Sequence, residues 1–202
     1  MKKSVNVAVL VSGGGTNLQA IIDFSAEGKL ESGKIVKVIS SKAGVYALER
    51  AREAEIPTAV IERKGKNQED FEKGILLELE ECGAEVIVLA GFMSILSKDF
   101  TDRYKERIIN VHPALIPSFC GEGYYGLRVH QAALAYGVKV TGATVHYVNE
   151  VADGGKIIMQ RAVKIKENDT PESLQKRVMQ EAEWKILPAS LELVCKKILK
   201  EN

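Results

Sequence analysis

The sequence predicts an α/β fold: a doubly wound, mostly parallel sheet with a C-terminal antiparallel addition and a terminal helix. Three observations lead there. Up to His112, short β-branched apolar runs alternate with amphipathic stretches of helical period. Several of these runs are apolar almost throughout, as strands buried on both faces must be. Beyond His112 two strand-like runs stand side by side around a glycine-bearing turn, and a long helical tail follows.

Taken in order, residues 5–11 (VNVAVLV) form the first strand and end in glycines. Residues 16–30 place Leu18, Ile21, Ile22 and Phe24 at near-helical spacing. Residues 34–40 read as a strand, 45–55 as a helix, and 56–62 as a strand. Residues 67–83 make an amphipathic helix with Phe71, Ile75, Leu76 and Leu79 on one stripe, ended by Gly83. Residues 84–93 are a nearly all-apolar strand, 98–104 a short helix capped by Ser97, and 107–111 another strand. After a loop rich in glycine and aromatics comes a helix over 127–137, ended by Gly137. Residues 140–150 and 156–165 pair as the antiparallel addition. The tail from 171 is capped by Asp169 or Thr170 with Pro171 near its start, and Pro188 is expected to kink or divide it. With no internal repeat or linker, residues 1–202 are expected to be a single domain.

Composition narrows the function classes. Apolar residues are 46% of the chain, and 28 basic side chains balance 27 acidic ones to a net charge of +1. That balance supplies no general attraction for nucleic acid, and an anionic ligand would need a local site. The two lysines before the first apolar run suggest a leader, but the run is short and passes straight into a glycine turn and a helix. A cytoplasmic protein without a membrane partner is expected. Cys82, Cys120 and Cys195 are far apart and lack metal-ligand spacing, which fits reduced thiols.

Four stretches carry chemistry. In residues 12–17 (SGGGTN) a glycine turn opens a helix whose free N–H groups and dipole suit a phosphate. No P-loop lysine or dinucleotide glycine pattern accompanies it. In residues 86–96 (VIVLAGFMSIL) a buried strand opens at Gly91 into Phe92, Met93, Ile95 and Leu96, a setting for a flat, partly polar heterocycle. Asn110 and His112 lie two apart on a strand, so they share a face. One is a neutral donor and the other a proton carrier near neutral pH. Asp153, in a glycine-bounded turn, is placed to raise the pKa of His112 if the turn folds over that strand. His130 and His146 are weaker candidates. No metal-ligand spacing and no nucleophile elbow occurs, so neither a metal nor a covalent nucleophile is expected.

Together VLVSGGGTNLQAII, VIVLAGFMSIL, NVHPALIPSFCG, VTGATVHYVNEVADGG and RVMQEAEWKILP resemble the phosphoribosylglycinamide formyltransferase family, in order and over nearly the whole chain. These are folate-dependent glycinamide ribonucleotide transformylases of purine biosynthesis, with a Rossmann-like fold. The resemblance implies 10-formyltetrahydrofolate as co-substrate, no metal, small-molecule partners, and a monomer or homodimer. It implies Asn110, His112 and Asp153 as the catalytic trio, and Gly15, Thr16, Asn17 and Glu183 as the ribonucleotide site. The folate walls would be Met93, Ser94, Ile95 and Leu96, with Asn110 and the loop of Asn149, Glu150, Val151, Ala152 and Asp153.

The sequence departs from the family pattern at four places. Ser94 and Gln68 stand where basic residues are common, which implies a weaker hold on the folate's glutamate tail. Trp184 stands where histidine is common, and the 120–126 loop (CGEGYYG) is longer than usual. Two other activities compete with formyl transfer: hydrolysis of the formyl donor on the same scaffold, and non-catalytic phosphate binding through residues 12–17.

Overall fold

Strand β1 (Val5–Val11) lies inside a seven-stranded sheet in the computed structural model, which describes residues 4–201. The two lysines considered as a leader lie outside these residues. Along β1, Val5, Val7, Val9 and Val11 enter one core while Ala8 and Leu10 enter the other, the alternation a strand imposes. β2 (Gly33–Ser40) and β3 (Thr58–Val60) extend the sheet in parallel on one side. β4 (Val86–Leu89) and β5 (Ile108–His112) extend it in parallel on the other. β6 (Val140–Tyr147) and β7 (Ile157–Lys164) then join antiparallel, giving the order β3-β2-β1-β4-β5-β6-β7. The parallel sheet with its antiparallel addition is as expected.

Both faces are covered. α1 (Thr16–Ala26), α2 (Tyr46–Glu53), α6 (Pro171–Val178) and α7 (Trp184–Glu201) pack Leu18, Ile21, Ala47, Ala51, Leu174 and Leu187 over one face. α3 (Gln68–Glu81) and α4 (Lys98–Arg103) bring Phe71, Ile75, Leu79 and Phe100 to the other. α5 (Leu127–Tyr136) packs against α6. The order of strands reverses between β1 and β4, so the loops that leave their C-terminal ends diverge and open a crevice there.

Several boundaries differ from expectation, each for a local reason. α1 stops at Ala26, ahead of Gly28 with its φ of 72°. β3 keeps only its three residues that meet β2. β4 stops at Leu89, because Gly91 takes a φ of 71° and turns Phe92 and Met93 out of the sheet. Thr170, in a capping box with Ser173, caps α6, while Asp169 pairs with Arg177. Pro188 does not divide the tail. The break comes earlier, as a π-helical turn at Met179–Glu183 between α6 and α7, and Pro188 sits inside α7. A helical proline cannot bond the carbonyl four residues back. Here that carbonyl belongs to Trp184, where the wide turn already ends.

Candidate active site

His112 closes β5 on the sheet face that α3 and α4 cover lower down. At this end no residue of those two helices lines the opening, and the ring, only 4% exposed, forms part of a cavity wall. Its Nε2 lies 2.8 Å from the carbonyl of Phe119, so that nitrogen carries a proton and donates it. Its Nδ1 faces Asp153 Oδ2 at 3.3 Å. Two acceptors, one on each nitrogen, are satisfied together only by the doubly protonated ring.

The pKa of His112 nevertheless sits below the usual histidine value. Burial is the largest cause and pushes it down; the Asp153 carboxylate and the Phe119 carbonyl oppose it. The sequence expectation that Asp153 raises this pKa holds for the carboxylate's own effect, though not for the net shift. The carboxylate does reach the ring and does pull upward, but removal from water wins. A proton on this ring is held in position yet readily given up.

Antiparallel pairing places His146 opposite Asn110 and Thr144 opposite His112, so all four side chains share a face. His146 Nδ1 donates to the carbonyl of Tyr147 at 2.8 Å, which leaves Nε2 to accept from Asn110 Nδ2 at 3.2 Å. That bond fixes which way the Asn110 amide points. The turn after β6 folds back over these rings and brings Asp153 Oδ1 to 3.5 Å from His146 Nε2. Asp153 holds a left-handed φ of 55°, and its Oδ2 accepts from the Gly121 N–H at 2.9 Å. Burial pushes its pKa up, but His146, His112 and the Gly121 N–H together leave it below the usual value. One carboxylate thus ties His112 to the loop after β5 and stands beside His146.

The cavity has a volume of about 790 Å³ and runs from this cluster to Asn17 and Glu183. Asn17, in the first turn of α1, donates from Nδ2 to Glu183 Oε2 at 2.8 Å. The π turn ends at Glu183 and aims it inward. Burial pushes the Glu183 pKa up to about 7, with Asn17 pulling it back. No side chain among the described residues caps α1, so the N–H groups of its first turn stay open to an anion. Gly13 and Gly14 have open space where a Cβ would stand. Gly15 does not: a Cβ would come within 2.7 Å of Ala47 Cβ, and its φ is 73°. Gly15 is therefore required by packing against α2. Ser12 Oγ bonds Ser41 Oγ at 2.6 Å and accepts from the Met93 N–H at 3.0 Å, which ties this loop to the one after β4.

Met93, Ser94, Ile95, Ala152 and Asp153 line the cavity, as do Asn110 and His112. Met93 and Ile95 are 56% and 71% exposed, an apolar rim beside Tyr124 and Tyr125 that invites a ligand. Leu96 does not line it; its side chain is buried with Phe100 in the core beneath α3 and α4. Asn149, Glu150 and Val151 also stand off its walls, on the exposed outer part of their turn. Gly15 and Thr16 are absent from the walls as well. Thr16 faces a second cavity of about 460 Å³ with Trp184 and Arg50. Gln68 braces the rim by donating to the Ile95 carbonyl at 2.9 Å. Two residues matter more than their sequence context shows. His146 stands at the centre of the cluster, although its alternation along a strand does not say which strand it faces. His130, on α5, is fully buried and also lines the cavity. Among the described residues no group of three or more His, Cys, Asp or Glu could hold a metal ion.

Comparison with known proteins agrees with this geometry. Residues 5–191 match the model of the formyl transferase family. A phosphoribosylglycinamide formyltransferase of Haemophilus influenzae is 43% identical over 189 residues, 93% of this chain and 84% of that protein. The human trifunctional purine biosynthetic protein adenosine-3 is 48% identical over 194 residues, 96% of this chain. This chain spans only 18% of the length of that trifunctional relative. The crystal structure of glycinamide ribonucleotide transformylase 1 from Symbiobacterium toebii superposes with a TM-score of 0.90 at 36% identity, covering 98% of this chain and 90% of that one. On the family match and on these identities over nearly its full length, the chain belongs to the formyl transferase family.

Proposed function

We propose that this chain transfers the formyl group of 10-formyltetrahydrofolate to the amine of glycinamide ribonucleotide, a step of purine biosynthesis in the cytoplasm. The products are N-formylglycinamide ribonucleotide and tetrahydrofolate. The observation that carries the reading is the cavity that joins the Asn110, His112, His146 and Asp153 cluster to Asn17 and Glu183. It offers a proton-handling group at one end and, at the other, a helix N-terminus for a phosphate. The relatives named above for this reaction support the same assignment.

The proposed chemistry uses this geometry. The ribonucleotide's phosphate docks on the N–H groups opening α1, and its hydroxyls on Glu183. The pteridine lies along Met93, Ser94 and Ile95, with Ala152 opposite. The amine then attacks the formyl carbon, and negative charge grows on the formyl oxygen. The Asn110 amide, oriented by His146, donates to that oxygen. The His112 Nε2–H, which meets the Phe119 carbonyl in this structure, turns to it as well; such donors are worth ~10²–10³ in rate each. As the C–N bond to the folate breaks, the departing nitrogen needs a proton and the attacking amine must lose one. His112 passes this proton through water, a contribution of roughly 10²–10⁴, while Asp153 keeps the ring oriented. No metal is assigned a part.

The experiment is to measure tetrahydrofolate release with and without glycinamide ribonucleotide. Release that requires the ribonucleotide is expected. Release without it would mean hydrolysis, and none in either case would leave only a phosphate-binding module.

A further inference from the structure

His130 is a fully buried histidine that the mechanism above leaves unused. It lies on α5 with 0% exposure, yet neither ring nitrogen has a hydrogen-bond partner. Buried polar atoms are nearly always paired, and an orphaned pair on one side chain is costly enough to require a reason. Though buried, the residue borders the 790 Å³ cavity together with Asn17, Gln175, Met179, Glu183 and His112. Burial and the neighbouring His112 push its pKa down to about 4, so at neutral pH it is uncharged, with one N–H to give and one lone pair to receive.

We infer that His130 binds the acceptor substrate, its ring hydrogen-bonding the uncharged glycinamide segment between the ribose and the attacking amine. The inference rests on the function proposed above. With phosphate and ribose held at Asn17 and Glu183 and the amine delivered to His112, the intervening segment occupies the same cavity that His130 lines. An amide presents one carbonyl acceptor and one N–H donor, the complement of a neutral imidazole. Neutrality also matters for the reaction. A lysine or arginine at this position would place a fixed positive charge near His112 and drive off the proton that His112 handles. The competing account is a water molecule that satisfies the ring for purely structural reasons.

The test is His130→Leu, which removes both nitrogens. Ribonucleotide binding is measured by calorimetry, both KM values and kcat by steady-state kinetics, and the thermal midpoint without substrates. We expect ribonucleotide affinity to fall about tenfold or more and its KM to rise in step, the scale of one substrate group left unpaired. The KM for 10-formyltetrahydrofolate should stay within about twofold, and the midpoint should hold or rise because an unsatisfied buried group is gone. Should the leucine variant fail to fold, His130→Phe keeps the ring and loses both nitrogens, and answers the same question. Ribonucleotide affinity within about twofold of wild type, or equal shifts in both KM values, would overturn the inference. Failure of wild type itself to bind the ribonucleotide would overturn the proposed function along with it.

Discussion

Asn17 and Glu183 stand 166 residues apart in sequence and meet side chain to side chain, Asn17 Nδ2 donating to Glu183 Oε2 at 2.8 Å. The first turn of α1 supplies one partner, and the π turn before α7 supplies the other. This single amide is what Glu183 has in place of water. It does not compensate fully, and burial leaves the carboxyl with a pKa of about 7 against an ordinary 4.5. A buried carboxyl kept for its stability alone would be a poor choice, which is why we assign it to ligand binding.

The first prediction concerns that carboxyl. Because its folded pKa is raised, its contribution to stability is fully present below about pH 4.5 and is lost as pH rises through about 7. Glu183→Gln removes the cost of holding the ionised form. The variant should be more stable than wild type at pH 8, by roughly 3 kcal/mol for a shift of this size. The gain should shrink steadily down to pH 4.5. Ribonucleotide affinity should fall in the same protein. Urea melts across pH 4.5–8 give the comparison, and a gap independent of pH would show that Glu183 does not titrate in this way.

Asn110→Ala and His112→Ala should each reduce turnover at least ~100-fold, the usual cost of losing one donor to a developing oxyanion. The fold should persist in both, since the strand's apolar residues Ile108, Ile109 and Val111 stay in their cores. His146→Ala should cost less, because His146 acts by orienting the Asn110 amide. Steady-state rates on purified protein with a normal circular dichroism spectrum decide the matter. Near-wild-type turnover for His112→Ala would remove it from the mechanism.

Asp153→Asn should lower the pKa of His112 further. Burial already holds that value below normal, and the carboxylate 3.3 Å away is the strongest upward influence on it. For a histidine with a depressed folded pKa, stability is present above the unfolded value and lost as pH falls through the folded one. Removing Asp153 should therefore shift that loss to lower pH. The amide keeps one oxygen to accept from the Gly121 N–H, so the loop after β5 should stay tied. Histidine ring shifts followed by NMR titration give the pKa in both proteins. A His112 pKa unchanged in the variant would mean that the pair is in contact but not coupled.

Much of this arrangement is legible in the sequence, and what is not has a physical cause. Asn110 and His112 share a face because a strand has a period of two, and the crevice follows from where the parallel order reverses. Periodicity carries no information about distance between elements. Nothing in the spacing of His146 or Glu183 says that one lies across from Asn110 and the other against Asn17. The sign of the His112 shift is illegible for a related reason: it depends on how deeply the ring is buried, which only packing decides. The π turn escapes notice because its residues, Met179 to Glu183, are ordinary helix formers. Pro188 draws attention to the wrong place.

The last prediction separates packing from ligand contact at the phosphate loop. At Gly15 the space that the Cβ of a valine or alanine would need is taken by the protein itself, before any phosphate is bound. Ala47 Cβ lies 2.7 Å from it and the Ala47 Cα 2.8 Å, and backbone on α2 cannot rotate away as a long side chain could. The φ of 73° adds a second penalty for any residue with a Cβ. Arg50, on the same helix, holds the Gly14 carbonyl from Nε at 2.9 Å, so a displaced α2 would drag the loop with it. Gly15→Ala should thus lower stability by about 1–3 kcal/mol, the range for overpacking, before any ligand is added. Gly14→Ala meets open space and should cost far less stability. Thr16→Ala should weaken ribonucleotide binding only modestly, because the backbone N–H groups proposed to hold the phosphate remain. Thermal melts without substrate and calorimetric titration with glycinamide ribonucleotide distinguish these effects. If Gly15→Ala melts with wild type and loses only ribonucleotide affinity, the glycine is there for the ligand, and the packing argument is wrong.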